Sequence, residues 1–353
     1  MTYAENKSII EYNPDQHSGV ITMQAYDRIT RYKGAMMGFA IFIVLYGHLL
    51  YYHSGLQNYQ DLNITLWYTV GSIDMFMFLS GFGIYHSLKK DADPLRFMQR
   101  RISRLLPAWA PFILVYCGFM LLTNQMNKWQ FLGNLTTFGW WTRIGGQFNW
   151  YVPTLLAAYL LSPLLFAIIE RYGKRSVLVF PVLFLLDAAC VDTSLMIGVS
   201  RFPVYFLGMY MASDAAKGHQ PSKRHRIIAY ALFVVSMIVF YFLVVYFPDG
   251  LSKYGLWWHP FLPATPGFLY LITGLFEKME KWKPTERLNR FLEFAGGKSF
   301  EIYLCHLLVY TVALTFGLRG WLPWICMVAV GFLTGVGYSI LVDRFVKWRS
   351  ARS

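Results

Sequence analysis

The stretch IIAYALFVVSMIVFYFLVVYF, residues 227–247, contains no charged residue. A helix needs about 20 mostly apolar residues to cross the hydrocarbon core of a membrane, so this stretch predicts a membrane-spanning helix. It lacks the alternating pattern of a barrel strand. Nine further stretches resemble it, and we predict an all-α integral membrane protein with about ten transmembrane helices. The predicted spans are residues 35–52, 65–86, 105–123, 149–169, 176–193, 197–213, 227–247, 257–276, 300–317 and 321–343.

The composition supports this fold class. Hydrophobic residues make up 56% of the chain and charged residues only 14%, against about 25% in soluble domains. The net charge is nevertheless +13, from 32 Lys and Arg against 19 Asp and Glu. These values argue against a soluble enzyme, a disordered chain and a disulfide scaffold. A nucleic-acid-binding protein would carry far more total charge, so we expect no nucleic-acid partner.

The basic residues indicate the orientation of the chain. With the N-terminus in the cytoplasm, the segments on that side hold 27 of the 32 basic residues. The outside loops hold only Lys128, Arg143, Lys253 and Arg319, and Arg201 lies within a span. Such an excess is typical of cytoplasmic loops, so we predict that both termini are cytoplasmic.

Three segments follow from the spans. They are a cytoplasmic N-terminal tail (1–34), one membrane domain (35–345) and a cytoplasmic C-terminal tail (346–353). The tail lacks the order of a secretory signal, so we expect the first span to be retained. All four cysteines lie inside spans without metal-site spacing, and we expect neither a disulfide nor a metal site.

Ionisable residues inside spans are costly and are candidates for function. His48 lies roughly 20 Å along the first span, and Asp74 lies roughly 13 Å along the antiparallel second span. The two side chains could therefore meet, with His48 as a general base and Asp74 as the carboxylate that fixes its tautomer. Position alone leaves open the alternative that His48 only bridges helices by hydrogen bonds.

The segment Arg100-Arg101-Ile-Ser-Arg104-Leu-Leu-Pro107 precedes the third span. Arg101 and Arg104 share one face of a helical turn, which suits a ligand rich in phosphate. Ordinary anchoring to anionic lipid is the alternative.

The segment Ser299-Phe-Glu301-Ile-Tyr303-Leu-Cys-His306 begins the ninth span. Ser299 could cap that helix, and Glu301 would be favourable in its first turn. Capping does not explain His306. In the second span, the Ser80-Gly81 pair permits close helix packing.

Taken together, six motifs resemble those of one family. They are Gly38 to His48, Asp74 to Ile84, Arg101 with Arg104 and Pro107, Trp150 to Pro153 with Tyr159 and Pro163, Arg201 to Gly208, and Ser299 to His306. Their order over residues 27–345 resembles the membrane acyltransferase-3 family, multi-span enzymes that move acyl groups onto cell-envelope glycans and other hydroxyl acceptors.

Two positions depart from the family pattern. Met37 stands where Arg or Lys usually precedes the first glycine, and Leu155 stands where the fourth-span motif often has Glu. Lys33 lies one helical turn before Met37, so its long side chain could reach the same site.

The resemblance implies an O-acyltransferase with His48 as general base and Asp74 as its partner. The implied donor is acetyl-CoA or another acyl-CoA, and we expect no permanently bound cofactor. The donor-binding candidates are Arg101, Arg104, Lys33, Tyr303 and His306. The acceptor-binding candidates are Arg201, Trp150 and Asp187, with pairing to Asp187 as the alternative role of Arg201.

The implied acceptor is an envelope glycan or lipid-linked sugar, and the expected location is the bacterial cytoplasmic membrane, in contact with its lipids. A transporter or flippase for a glycolipid would also have ten spans and buried charges. We find no inverted repeat that would support it. A scaffold without activity is disfavoured by the ionisable residues inside the spans.

Overall fold

The computed structural model describes residues 23–52, 72–144, 150–248, 254, 256, 259–319 and 321–351. Some predicted features lie outside these residues, namely most of the N-terminal tail, the start of the second span and Lys253. The described part is helical and contains no strand.

Sixteen α-helices account for most of the described chain. They are α1 Ala25–Arg31, α2 Lys33–Tyr52, α3 Ser72–Lys90, α4 Pro94–Leu122, α5 Lys128–Leu135, α6 Phe138–Trp141, α7 Tyr151–Tyr172, α8 Val179–Ala188, α9 Met196–Val199, α10 Phe202–Ala216, α11 Lys223–Tyr246, α12 Phe261–Glu280, α13 Lys283–Gly296, α14 Ser299–Thr315, α15 Leu322–Ile325 and α16 Gly331–Ser350. A 3₁₀ turn, Gly173–Leu178, precedes α8, and a π-helical segment, Cys326–Val330, precedes α16.

Length and apolarity select the helices that can cross a membrane. Within the described residues there are four, Pro94–Leu122, Tyr151–Ala188, Lys223–Tyr246 and Leu322–Arg349. Ala25–Arg31 and Lys33–His48 make a fifth if this pair, bent by 69°, is counted as one span. These helices support an integral membrane protein, and the number of ten spans stays a prediction.

The bend between α1 and α2 is held by polar contacts to α12. Arg28 donates to Glu277 at 3.0 Å, and both the Arg31 guanidinium and the Tyr32 hydroxyl bind Glu280, at 3.0 and 2.8 Å. These bonds anchor the start of α2, the helix that carries Lys33 and His48.

The helix α4 begins earlier than the third predicted span. The Asp93 carboxylate caps it by accepting a hydrogen bond from the Arg96 backbone N–H at 2.9 Å, and Pro94 occupies its first turn, where its missing N–H costs nothing. Arg101 and Arg104 consequently lie on a folded helix, as their predicted shared face requires.

Close crossings between helices depend on glycine. In α3, a Cβ on Gly81 would meet the backbone of Tyr205 in α10, and in α10 a Cβ on Gly208 would meet the backbone of Phe78. The close packing predicted for Ser80-Gly81 is confirmed. This crossing brings Asp74, on α3, beside Arg201, which directly precedes α10.

Helix α13 lies within the segment that the sequence analysis assigned to a cytoplasmic loop. It packs on α2, where Gly38 meets the backbone of Leu292 and Gly296 meets the backbone of Gly34. Phe291, although partly exposed, also stacks on Phe42 of α2 with ring centroids 5.6 Å apart, and Phe294 is exposed. The span prediction missed this helix because it is short and amphipathic. The fifth predicted span is also wrong in extent, since helical structure ends at Ala188.

We predict that Gly81→Ala lowers the stability of the protein, because the added methyl group collides with the Tyr205 carbonyl. Overpacking of this kind costs about 1–3 kcal/mol. The midpoint of thermal unfolding in detergent measures it. Gly118→Ala in α4 is the matched control, since its Cβ would have no neighbour within 4 Å. Equal midpoints for the two variants would contradict the prediction.

Candidate functional site

Three basic side chains come together where α2, α3 and α4 meet. The positive charges of Arg101 and Arg104 act on Lys33, and the Lys33 ammonium lies against Gly83 of α3. The guanidinium of Arg101 lies 5.2 Å from the ring centroid of Phe97. We call Lys33, Arg101 and Arg104 the cation cluster. It brings together the three basic residues among the five that the sequence proposed for the donor.

The cation cluster differs from the basic residues around it. Lys89 pairs with Glu170 at 2.5 Å, and Arg100 pairs with Asp91 at 2.6 Å. Arg96 also contacts Asp91, at 3.1 Å. The hydrogen bond from Arg100 lowers the pKa of the Asp91 carboxyl, which lies in the loop between α3 and α4.

In the described part of the chain, by contrast, no member of the cation cluster has a carboxylate within 4.0 Å. The buried Nε of Arg101 has no hydrogen-bond partner there either. Like charges held together without a counterion repel each other, so this arrangement is suited to binding an anion.

Four tyrosines connect this region to the interior. The positive charges of Arg101 and Arg104 act through space on Tyr159, and Tyr159, Tyr205 and Tyr303 act electrostatically on Tyr151. We call Tyr151, Tyr159, Tyr205 and Tyr303 the tyrosine path.

The tyrosines of the tyrosine path differ in whether their hydroxyls are hydrogen-bonded. The hydroxyl of Tyr205 forms a hydrogen bond with Ser162 Oγ at 2.5 Å. Among the described residues, the hydroxyls of Tyr151, Tyr159 and Tyr303 have no such partner. Because Tyr151 and Tyr303 are buried, their hydroxyls are left available to a polar group that enters from outside the protein.

Two histidines meet at the other end of the tyrosine path. The ring centroids of His48, from α2, and His306, from α14, are 5.2 Å apart. The ring of Tyr303 lies 5.7 Å from that of His306. We call His48 and His306 the histidine pair. The sequence placed these residues in different roles, and only the structure shows that they are neighbours.

A buried ion pair lies between α3 and the start of α10. Arg201 Nε is 3.7 Å from Asp74 Oδ1, and both side chains are almost completely buried. The guanidinium of Arg201 also binds Ser200 Oγ at 2.9 Å and lies 5.4 Å from the Trp150 ring centroid. Among the described contacts, the carboxylate of Asp74 thus faces Arg201, and its predicted role toward His48 stays a prediction.

Asp187 contacts a different residue from the one that the sequence suggested. Its Oδ2 lies 3.2 Å from Nε2 of His259, while the charge of Arg201 still acts on it. Neither carboxylate oxygen of Asp187 has a hydrogen-bond partner in the described part of the structure. The two acidic residues near Arg201 therefore have different direct partners.

Aromatic rings join this ion pair to the histidine pair. The Trp150 ring lies 6.0 Å from the ring of Tyr151, which lies 5.1 Å from the ring of Tyr303. Since the Tyr303 ring lies 5.7 Å from the His306 ring, ring contacts lead from the Asp74–Arg201 pair to the histidine pair. Sequence reasoning missed Tyr151 and Tyr205 as site residues, although both lie in the quoted motifs.

The start of α14 differs from one sequence-based interpretation. Ser299 does not cap this helix, since its hydroxyl donates to the Gly296 carbonyl at 2.8 Å and Lys298 occupies the N-cap position. The half-buried Glu301 lies in the first turn, as predicted.

The comparison with protein families agrees with these motifs. A family model for membrane acyltransferases of the acyltransferase-3 type, described as an acyltransferase domain, matches residues 35–344. The chain belongs to the acyltransferase-3 family. It is therefore an acyltransferase that transfers groups other than aminoacyl groups, and it is an integral membrane protein. No curated protein and no solved structure matched the chain significantly.

The acyltransferase should depend on the Asp74–Arg201 pair for stability. Removing one partner of a buried ion pair leaves an uncompensated charge and costs about 3–5 kcal/mol. We predict that Arg201→Met lowers the midpoint of thermal unfolding in detergent, and that adding Asp74→Asn restores most of the loss. A double variant no more stable than Arg201→Met would contradict this account.

Proposed function

We propose that this acyltransferase moves an acyl group, with acetyl as the first candidate, from acyl-CoA to a hydroxyl of a cell-envelope glycan or lipid-linked sugar. One observation carries the proposal. Three basic side chains with no acidic partner in the described structure lie at one end of the tyrosine path, and two neighbouring imidazoles, the buried His306 and the half-buried His48, lie at the other.

The orientation that fits this proposal has ten spans and both termini in the cytoplasm of a bacterium, with the chain in its cytoplasmic membrane. The distribution of basic residues supports it. In this orientation the cation cluster lies toward the cytoplasm, where acyl-CoA is made, and His48 lies beyond the middle of the membrane.

The cation cluster would bind the phosphates of the donor. Guanidinium groups bind phosphate oxygens through paired hydrogen bonds, and an ammonium group adds a compact positive charge. Lys33 would take the place of the basic residue that the family carries where this chain has Met37.

The acyl end of the donor would follow the tyrosine path. Lys33 and His48 lie on the same helix roughly 22 Å apart at 1.5 Å per residue, so the phosphates and the reacting acyl carbon need an arm between them. The pantetheine arm carries amides, and the free hydroxyls of Tyr151, Tyr159 and Tyr303 could hydrogen-bond to these amides as it passes.

His48 would remove the proton from the acceptor hydroxyl as its oxygen attacks the thioester carbon. A new C–O bond forms, the C–S bond breaks, and the sulfur receives a proton. At the acceptor end we place Arg201, Trp150 and Asp187. Asp74 would hold Arg201 in position and balance the positive charge that develops on His48.

The acceptor and the acyl group can be identified together by mass spectrometry of envelope glycans from a deletion strain. The proposal expects a glycan that is made and exported normally but lacks one acyl substituent. A glycan that fails to reach the surface would instead indicate a transporter. An unchanged glycan profile would exclude an envelope glycan as the acceptor.

We predict that His48→Ala reduces acyl transfer by about 10²–10⁴-fold, the range that a general base contributes. Acyl-CoA turnover by the purified protein measures it, and the variant should still be recovered from the membrane fraction. His219→Ala is the control, because His219 is exposed and contacts Asp214. Transfer at the wild-type rate by His48→Ala would exclude His48 as the base.

We predict that Arg101→Ala with Arg104→Ala raises the acyl-CoA concentration needed for half-maximal rate by at least about tenfold, since charge-assisted hydrogen bonds contribute roughly 1.5–3 kcal/mol each. The matched control is Arg96→Ala with Arg100→Ala. It removes the same charge from the same helix but involves residues that pair with Asp91. Equal effects of the two double variants would indicate that Arg101 and Arg104 anchor the protein to anionic lipid and do not bind the donor.

A further inference from the structure

The side chain of His306 is held in a defined state. It is completely buried, and its Nδ1 lies 3.1 Å from the carbonyl oxygen of Ile302, one turn earlier in α14. A carbonyl can only accept a hydrogen bond, so Nδ1 carries the proton. The other nitrogen, Nε2, therefore has a lone pair in the neutral ring.

That lone pair is unused within the described structure. Nε2 of His306 is buried and has no hydrogen-bond partner. A buried acceptor without a donor costs free energy, so His306 in this position is not explained by stability alone. Within the described residues, a donor for Nε2 has to come from the substrate or from the movement of a neighbouring group.

The nearest candidate among the described residues is His48. The two rings are 5.2 Å apart between centroids and inclined by 41°. Two ring nitrogens that face each other across this separation would come within the reach of a proton transfer, about 2.6–3.2 Å, and His48 can turn toward Nε2 while the bond from His306 to Ile302 stays intact. Hydrogen bonds at catalytic sites are often long in the absence of substrate and shorten when it binds.

We propose that His306 accepts a proton from His48 during acyl transfer, so that the two imidazoles share the proton of the acceptor hydroxyl. This inference rests on the proposed role of His48 as base. It assigns to His306 a proton-handling role instead of donor binding, and it supplies His48 with a partner other than Asp74.

The two imidazoles carry one proton during the transfer of one acyl group. His48 takes the hydroxyl proton on one nitrogen and passes the proton of its other nitrogen to Nε2 of His306. The hydroxyl oxygen forms the C–O bond of the ester, and the C–S bond breaks with its electron pair on sulfur. The same transfers in reverse deliver one proton to the thiolate, so one proton moves from oxygen to sulfur.

Helix α16 packs closely against the backbone of His306. A Cβ on Gly331, the first residue of α16, would lie 2.8 Å from the His306 Cα. The π-helical segment Cys326–Val330 ends directly before this glycine. Such segments are frequent at functional sites, and here the segment sets the register in which Gly331 meets α14.

The first test replaces His306 with Gln in the full-length enzyme purified in detergent. Gln can hydrogen-bond but cannot carry the extra proton. We expect kcat to fall by about 10²-fold or more, with the KM for acyl-CoA unchanged. A solvent proton inventory should be curved for wild type, because two protons move, and linear for His306→Gln.

Two results would overturn the inference. One is a kcat for His306→Gln within about twofold of wild type. The other is a linear inventory for wild type under conditions where chemistry limits the rate. A raised KM with unchanged kcat would count as the first result and would return His306 to donor binding.

A second pair of variants leaves both imidazoles in place. Gly331→Ala should displace His306 and lower kcat by roughly 10- to 100-fold, because a misplacement of about 1 Å has effects of this size. Gly337→Ala, in the same helix with no neighbour within 4 Å, should not. Equal kcat values for these variants would contradict the positioning of His306 by α16.

Failure of this inference is distinguishable from failure of the proposed function. If His48→Ala is inactive and His306→Gln behaves as wild type, His48 acts without His306 and only the inference fails. If His48→Ala is fully active, the assigned base is wrong, and the inference fails with it whatever His306→Gln does.

Discussion

The interior of a protein solvates an unpaired charge poorly, and the arrangement of the whole site depends on this constraint. Asp74 and Arg201 satisfy it by pairing at 3.7 Å while almost completely buried. Their pairing requires α3 and α10 to cross closely, which glycine at positions 81 and 208 permits. The guanidinium of Arg201 lies over the Trp150 ring, and the rings of Tyr151 and Tyr303 connect this ion pair to the histidine pair.

The same constraint makes the cation cluster conspicuous. Most basic residues near α4 either pair with a carboxylate or lie exposed, as expected for residues that fix topology. Lys33 and Arg101 are partly withdrawn from solvent, and they repel each other without a carboxylate within reach in the described structure. Positive charge that the protein does not neutralise is suited to an anionic ligand, and the phosphates of acyl-CoA fit the family's reaction.

Much of this could be predicted from residues 227–247 and stretches like them, because a membrane span depends on local apolarity. The apolar stretches predicted the helical class, and the motifs predicted the close packing at Gly81 and the family. All three predictions are confirmed. Helix α13 escaped the span prediction because it is short and amphipathic, and its packing on α2 through Gly38 and Gly296 is decided only in the fold. The partners of Asp187 and Arg201 could not be predicted either. Spacing along the chain gives the position of a residue along its helix, but it does not show which helices are adjacent.

The sequence by itself determined the class of protein and the candidate residues, since both follow from local composition and motifs. Only the tertiary structure decided which candidates meet. It set His306 beside His48, and it separated the basic residues that have a carboxylate partner from those of the cation cluster. The physical reason is that distances between helices are set by the shapes of the packed surfaces, above all by glycines that let two backbones touch. Local composition and spacing do not determine which helices pack together.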